Sequence, residues 1–244
     1  MAGSAAIGEA LIPDLVRRPI DSALAARIAA MPKAELHVHI EGAMTPDDVW
    51  ALAQKNKVAL PAKTLEEWRS FYAFRDFDHF IEVYMAAAEV LTQPEDYAYM
   101  VERFCAYQAA QNIVYCEAYL SASVHLRRLP SEVVLEAVLE GAHTGADRYG
   151  VEIAIIPDIS REFPDTQMDV VEFVLAGRDQ GPVIGLGIGG PETMHPASAF
   201  ARAFDAAHAE GLHVTAHAGE AAGADSVADV LDHLRPSRIG HGVR

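Results

Sequence analysis

The 244-residue sequence has the composition of an ordinary globular protein, with 51% hydrophobic and 22% charged residues. Its 35 acidic residues against 19 basic ones give a formal net charge of −16. Because nucleic-acid backbones and anionic membranes are bound by positively charged surfaces, this balance argues against both as partners and favours a small-molecule ligand.

Short apolar runs alternate along the chain with longer segments of helical periodicity. Residues 1–30 are expected to form an N-terminal extension, partly helical over 22–31. Strands are predicted at 34–40, 112–120, 151–157, 182–188, 211–217 and 237–241. Helices are predicted at 46–57, 64–70, 77–91, 94–111, 131–149, 166–180, 196–210 and 224–235. This alternation is typical of a parallel α/β architecture.

The helical stretch between the first two predicted strands is longer than one crossover needs. It begins at Thr45-Pro46-Asp47-Asp48, which combines a hydroxyl cap, a first-turn proline and acidic residues near the positive end of the helix. We predict that residues 46–111 form an inserted helical subdomain that covers the site as a lid.

The strongest chemical signal is His37-Val38-His39 in the first predicted strand. Side chains alternate between the two faces of a strand, so both imidazoles share one face and would point into a barrel. Two imidazoles at the carboxyl end of a strand are able to hold one metal ion. Zinc is the metal that such imidazole ligands favour, and iron or manganese could substitute for it. A hydrogen-bonded histidine pair without a metal is the alternative interpretation.

Two further histidines end predicted strands. His217 is followed by Glu220 within VTAHAGE, and a carboxyl group just beyond a metal ligand is able to transfer protons in a hydrolase. A solvated loop glutamate is equally compatible with this spacing. His241 lies between two glycines in RIGHGVR, where the absence of side chains leaves room around the imidazole. All three histidine motifs end strands, where α/β barrels carry their chemistry.

The segment IGLGIGGPE, residues 184–192, is rich in glycine. It lacks the strand–GxGxxG–helix context and the acidic partner of a dinucleotide site. Its exposed backbone N–H groups are better suited to contact with a flat ring than to a phosphate cradle.

Cysteine content and hydropathy favour a cytoplasmic protein. The sequence has only two cysteines, Cys105 and Cys116, on apolar stretches, so a disulfide framework is not implied. The first residues lack the charged head and apolar core of a signal peptide. No apolar run approaches the ~18 residues of a membrane span.

Three linked motifs, AELHVHIEGA, VTAHAGE and RIGHGVR, resemble in order and spacing those of the adenosine deaminase family of amidohydrolases. The stretch FYAFRDFDHFIEVY also resembles the helical insert of bacterial members, and the resemblance runs from about residue 31 to the last residue. It implies a TIM-type (β/α)8 barrel with one zinc ion per chain. The implied reaction is hydrolytic removal of the 6-amino group of an adenine nucleoside, adenosine or aminodeoxyfutalosine-like, with release of ammonia.

The resemblance implies a role for each matching polar residue. His37, His39 and His217 would bind zinc, and His39 would also contact the substrate. Glu220 would protonate the ring nitrogen beside the reacting carbon. His241 would hold or deprotonate the attacking water.

The resemblance also implies two further substrate contacts. Gly190 would offer its backbone N–H to the purine, and Glu41 would lie near the ribose end of the substrate. Adenosine deaminases proper carry aspartate at the position of Glu41. In having glutamate at this position, the sequence resembles the adenine deaminases and the aminodeoxyfutalosine deaminases. Free adenine is therefore the alternative substrate.

A second departure from the family pattern concerns the fourth metal ligand. The family carries an Asp-Asp pair well beyond the GHG motif, and its first member binds zinc. Because the sequence ends at Arg244, we expect that ligand beyond it. Six predicted strands are also fewer than the eight of a closed barrel. We therefore expect residues 31–244 to be an incomplete metal-dependent hydrolase barrel, truncated after strand 6, and poorly folded and inactive in isolation.

Two other functions remain compatible with the motifs. Another barrel hydrolase, such as a phosphoesterase or a cyclic-amide hydrolase, also opens with His-x-His but tends to need two metals and a bridging carboxylated lysine. Lys33 and Lys63 are poorly placed for that role, and no lysine follows residue 63. The second alternative is a non-catalytic fragment. The cytidine-type zinc deaminases are excluded because their CxxC pair is absent.

Overall fold

The computed structural model describes residues 20–244, and most of the predicted N-terminal extension lies outside the described residues. The strands are β1 (Lys33–His39), β2 (Ile113–Leu120), β3 (Glu152–Ser160), β4 (Gly185–Gly189), β5 (His213–Ala218) and β6 (Arg238–His241). The helices are α1 (Ser22–Ala30), α2 (Pro46–Asn56), α3 (Leu65–Tyr72), α4 (Phe77–Glu89), α5 (Pro94–Ala110), α6 (Ala122–His125), α7 (Ser131–Tyr149), α8 (Gln167–Gln180), α9 (Ala201–Ala209) and α10 (Ala224–His233).

The six strands form one parallel sheet in the order β1 to β6, and each strand pairs with the next along the chain. The sheet curls so far that its two edge strands approach each other. A Cβ atom placed on Gly240 of β6 would lie 2.5 Å from Cε1 of His37 on β1. Helices alternate with the strands along the chain. The architecture is therefore that of a TIM-type barrel, as the family resemblance implies.

The core lies between the sheet and the helices around it. Nearly every residue of β3, β4 and β5 is buried, in keeping with the apolar runs from which these strands are predicted. The helix that leads into β2, α5, packs along α7 on the outside of the sheet. Cys105 and Cys116 are both buried and free.

The segment between β1 and α5 contains α2, α3 and α4. The helix α2 begins as predicted: Thr45 and Asp48 form a reciprocal capping box, and Pro46 stands at the first position. Helix α2 contacts α5 directly, because the hydroxyl groups of Tyr99 and Tyr107 on α5 donate hydrogen bonds to Asp48. The division of the chain into extension, barrel and lid-like insert stays a prediction.

Three local features differ from the sequence-based prediction. The one-turn helix α6 directly follows β2, and helix α9 is preceded by a 3₁₀ turn at Ala197–Phe200. Elements this short contain too few residues to show a periodic pattern. The pairing of β1 with β2 also shifts between Glu35 and Val38, which adds a bulge beside the first histidine. Between residues 20 and 244, no helix is both long and apolar enough to cross a membrane.

Candidate active site

The carboxyl ends of the strands surround a cavity of about 200 Å³. All six strands, or the residues directly after them, contribute side chains or backbone to its wall. Helix α4 covers one side with Phe77, Phe80 and Tyr84. The cavity therefore lies at the end of the barrel where enzymes of this architecture carry their active sites.

Three imidazoles meet in this cavity. One ring nitrogen from each of His37, His39 and His217 lies within 4.8 Å of the other two. The Nε2 atoms of His39 and His217 are 3.0 Å apart. Two nitrogens that bind one tetrahedral zinc ion at ~2.0–2.1 Å lie about 3.3 Å from each other. The cluster therefore has the spacing that a single metal ion needs.

The surroundings of His217 direct one nitrogen towards the cluster. Its Nδ1 lies 2.8 Å from the Ile188 carbonyl oxygen and donates to it, so the neutral ring carries its lone pair on Nε2. Burial, and then the neighbouring imidazoles, lower the pKa of His217 well below its usual value. Burial also lowers the pKa of His39 to about 4, despite the opposing effect of Glu41. Both rings are therefore neutral at physiological pH, the form that binds metals.

Glu220 and His241 form a pair on the β6 side of the cluster. Their Oε2 and Nε2 atoms are 3.4 Å apart, and both side chains are partly buried at the cavity wall. Burial raises the pKa of Glu220 above its usual value of 4.5, and the charge of Glu192 adds to the rise against the opposing effect of His241. Glu220 therefore keeps its proton to a higher pH than an exposed glutamate, as a general acid requires.

The loop that carries Glu220 is held by Glu192, which the sequence reasoning did not single out. The buried carboxylate of Glu192 accepts hydrogen bonds of 2.6–3.3 Å from the Ser226 hydroxyl and from the backbone N–H groups of Gly219, Glu220, Ala221 and Ala222. Burial alone would raise the pKa of Glu192, but these hydrogen bonds lower it to about 2. No short-range pattern reveals this role, because the partners lie 27–34 residues along the chain.

We expect Glu192→Ala to lower the free energy of unfolding by at least about 3 kcal/mol, because hydrogen bonds to a charged group are worth about 1.5–3 kcal/mol each. Turnover should fall as well, since the loop would no longer hold Glu220 in place. Chemical denaturation measures the change in stability. The exposed Glu172 of α8 provides the control, and Glu172→Ala should leave stability within experimental error. Equal stabilities for the two variants would contradict the role of Glu192.

Glu41 lies behind the cavity wall. Its fully buried carboxylate accepts hydrogen bonds from the Ser121 N–H at 2.8 Å, from His125 Nε2 at 2.7 Å and from the Tyr84 hydroxyl at 2.9 Å. Burial would raise the pKa of Glu41, but the hydrogen bonds from His125 and Ser121 outweigh it and lower the pKa. The structure therefore connects Glu41 to the cavity through Tyr84 and Ser121, which both line it.

Gly190 lines the cavity at the end of β4, as the glycine-rich pattern predicts. Its φ of 84° is in the left-handed region, and a Cβ atom there would lie 2.9 Å from Ser160 Oγ. Only glycine fits this position without strain, and its backbone faces the cavity.

The structure also places in the cavity wall a carboxyl group that the sequence reasoning missed. Asp158 is 2% exposed, and its Oδ1 has no hydrogen-bond partner among residues 20–244. It lies within the apolar strand β3, where nothing in the local pattern distinguishes it from a core position.

Six of the seven predicted site residues therefore face one cavity, whereas Glu41 lies one side chain behind it. The six are His37, His39, Gly190, His217, Glu220 and His241. Their roles in binding and catalysis stay predictions.

Comparison with known proteins relates this arrangement to one family. An adenine deaminase from Cupriavidus necator is 38% identical over 227 residues, which cover 92% of this chain and 64% of the relative. The crystal structure of adenine deaminase from Arthrobacter aurescens is 32% identical, with a TM-score of 0.80, and the match covers 87% of this chain and 65% of that one.

An amidohydrolase from Burkholderia ambifaria, solved with bound Zn, is 30% identical with a TM-score of 0.82. The match covers 92% of this chain and 62% of that one. The chain thus spans just under two thirds of the length of these three proteins. Residues 32–244 match the family model described as adenosine deaminase, and the chain therefore belongs to the adenosine deaminase family.

Proposed function

We propose that the protein hydrolytically removes the 6-amino group of an adenine ring, with one zinc ion held by His37, His39 and His217. The observation that carries this proposal is the convergence of these three imidazoles with Glu220 and His241 in one cavity. The zinc-containing relative from Burkholderia ambifaria supports the choice of metal.

The three imidazoles suit zinc because two of them are neutral and one has a lone pair fixed towards the cluster by the Ile188 carbonyl. When bound, zinc would acidify water and so supply a nucleophile at neutral pH. Lys33 and Lys63 stand outside the cavity, so the proposal needs neither a bridging lysine nor a second metal.

The residues around the cluster divide the proton transfers between them. Water attacks C6 of the ring and gives up a proton to His241. Glu220 donates its proton to the adjacent ring nitrogen, N1. The C6–N bond then breaks: the amino group takes up the proton held by His241 and leaves as ammonia with the bonding electron pair. The proton of the C6 hydroxyl returns to Glu220 as the carbonyl forms. Adenine and water thus become hypoxanthine and ammonia, and the roles of Glu220 and His241 are those of a general acid and a general base.

Positioning of the ring falls to backbone and aromatic groups. Gly190 presents its backbone at the cavity wall, where its N–H would contact the purine. Phe77, Phe80 and Tyr84 of α4 cover the cavity as a lid and limit the access of water.

For the substrate, we place free adenine before the nucleosides that the resemblance first implied. The Glu41 carboxylate has three protein donors and lies behind Tyr84, so it is not available to a ribose hydroxyl. Relatives that are 35–38% identical to this chain are adenine deaminases. Adenosine and aminodeoxyfutalosine-like nucleosides form the second candidate class.

The test is ammonia release from adenine, adenosine, aminodeoxyfutalosine and methylthioadenosine by the zinc-loaded full-length protein, because residues 31–244 are expected to be inactive in isolation. We expect the highest kcat/KM with adenine, loss of activity on chelation of the metal, and recovery with one equivalent of zinc. A preference for a nucleoside would contradict the substrate assignment. A need for two metals per chain would indicate another barrel hydrolase, and zinc binding without turnover of any aminopurine would indicate a non-catalytic protein.

A further inference from the structure

Asp158 lines the cavity with its carboxyl group almost fully buried. The residue is 2% exposed, and its Oδ1 has no hydrogen-bond partner among the described residues. Its Oδ2 lies 3.9 Å from Nδ1 of His39, a distance too long for a hydrogen bond. Leaving a buried polar atom without a partner costs stability, so its presence in a binding cavity points to a donor on the ligand.

The neighbouring strand leaves the space that this carboxyl group occupies. A Cβ atom on Gly187 would lie 3.0 Å from Cβ of Asp158, and one on Gly189 would lie 2.9 Å from its Oδ2. The register of β3 and β4 pairs Asp158 directly with Gly187. Two glycines at these positions therefore admit a carboxyl group where side chains on β4 would exclude it.

Asp158 and Glu220 lie beside different histidines of the cluster. Asp158 is beside His39, whereas Glu220 is beside His241. His217 stands between these two histidines, with its Nε2 3.0 Å from that of His39 and its ring centroid 5.4 Å from that of His241. A bicyclic ring that presents its six-membered part to Glu220 would therefore extend its five-membered part towards Asp158.

We infer that Asp158 is a specificity-determining contact, whose carboxyl oxygen accepts a hydrogen bond from the five-membered-ring N–H of a free aminopurine. This inference rests on the proposed function, because it places the six-membered ring at Glu220. Adenine carries such an N–H, on N9 or on N7, whereas a nucleoside substituted at N9 carries none. A carboxyl oxygen accepts hydrogen bonds whether or not the group is ionised. Asp158 thus favours the free base and leaves an unmet acceptor beside a nucleoside.

The experiment compares adenine with 9-methyladenine, which lacks the ring N–H but adds only one methyl group. Equilibrium dissociation constants and kcat/KM are measured for the zinc-loaded wild type, Asp158→Ala and Asp158→Asn. We expect Asp158→Ala to weaken binding of adenine at least about tenfold. Binding of 9-methyladenine should not weaken, because that ligand offers the carboxyl oxygen no donor. The amide of Asp158→Asn can also donate a hydrogen bond. This variant should therefore bind 9-methyladenine more tightly relative to adenine, because N7 of 9-methyladenine carries no proton and accepts hydrogen bonds.

Two controls separate recognition from a structural role. The first control is Asp179→Asn, the same substitution at an exposed position on α8, which should leave the dissociation constants of both ligands unchanged. Zinc content, measured for every variant, should stay constant because Asp158 is not among the three clustered imidazoles. Equal losses for both ligands, or unchanged binding of adenine by Asp158→Ala, would overturn the assignment.

The outcomes also separate this inference from the proposed function. Binding of adenine without ammonia release would refute the deaminase proposal, while the ratio of the two dissociation constants would still decide the role of Asp158. Turnover of adenine with an unchanged ratio in Asp158→Ala would refute the Asp158 assignment alone. If the zinc-loaded wild type bound no adenine, both would fail.

Discussion

Replacement of Glu220 by glutamine should reduce ammonia release from adenine by about 10²–10⁴-fold, the usual contribution of a general acid or base. Glutamine keeps the shape of the side chain but cannot supply a proton to the ring. Zinc content should stay unchanged, because the clustered ring nitrogens belong to His37, His39 and His217. The measurement combines a steady-state ammonia assay with metal analysis of the same sample.

The matched control is Glu172→Gln, the same change at an exposed position on α8. It should keep the wild-type rate. If Glu220→Gln kept that rate as well, the assignment of the acid would be wrong. Loss of zinc from Glu220→Gln would instead show that this residue supports the metal site.

The pH profile gives a second readout of the same residue. A general acid acts only while it is protonated, so kcat/KM should fall as pH rises through the pKa of Glu220. Burial raises that pKa above the usual 4.5, which moves this descending limb to higher pH than an exposed glutamate would give. The residual activity of Glu220→Gln should lack this limb. A wild-type profile that rises over the same range would contradict the role.

Removal of one imidazole from the cluster should have the second large effect. We expect His217→Ala to lower zinc affinity by more than about 100-fold, beyond the 10–100-fold typical of residues that only orient a ligand. The reason is that Nε2 of His217 carries a directed lone pair towards the cluster. His37→Ala should have an effect of the same kind. Competition with a chelator of known affinity measures both.

His213 offers the matched control, because it lies on the same strand as His217 but is exposed at its other end. His213→Ala should bind zinc like the wild type. Wild-type zinc affinity in both His217→Ala and His213→Ala would show that the cluster does not hold the metal. A parallel loss in all three histidine variants would point to general destabilisation of the fold.

The strands and most helices could be predicted because their patterns are local. The six apolar runs became β1–β6, and the Thr45 and Asp48 pair capped α2 as its sequence implied. The one-turn helix α6 and the bulge in β1 were not predictable in this way. Both are shorter than a repeat of the side-chain pattern, and the bulge depends on pairing with β2.

The residues of the candidate site likewise differ in whether a local sequence pattern predicts them. Its histidines end strands within recognisable motifs, so their convergence follows from the barrel topology. The buried acids Glu192 and Asp158 carry no such signal. Glu192 acts on a loop 27–34 residues away, and Asp158 stands among the buried residues of β3. The position of Glu41 behind Tyr84 likewise depends on how α4 packs, which no local pattern describes.

The most direct test of the account is the position of bound metal in a crystal of the zinc-loaded protein, located by anomalous scattering at the zinc absorption edge. We predict one peak per chain, at ~2.0–2.1 Å from ring nitrogens of His37, His39 and His217. Two peaks in the cavity, or a single peak away from these imidazoles, would contradict the mononuclear site on which the proposed deamination depends.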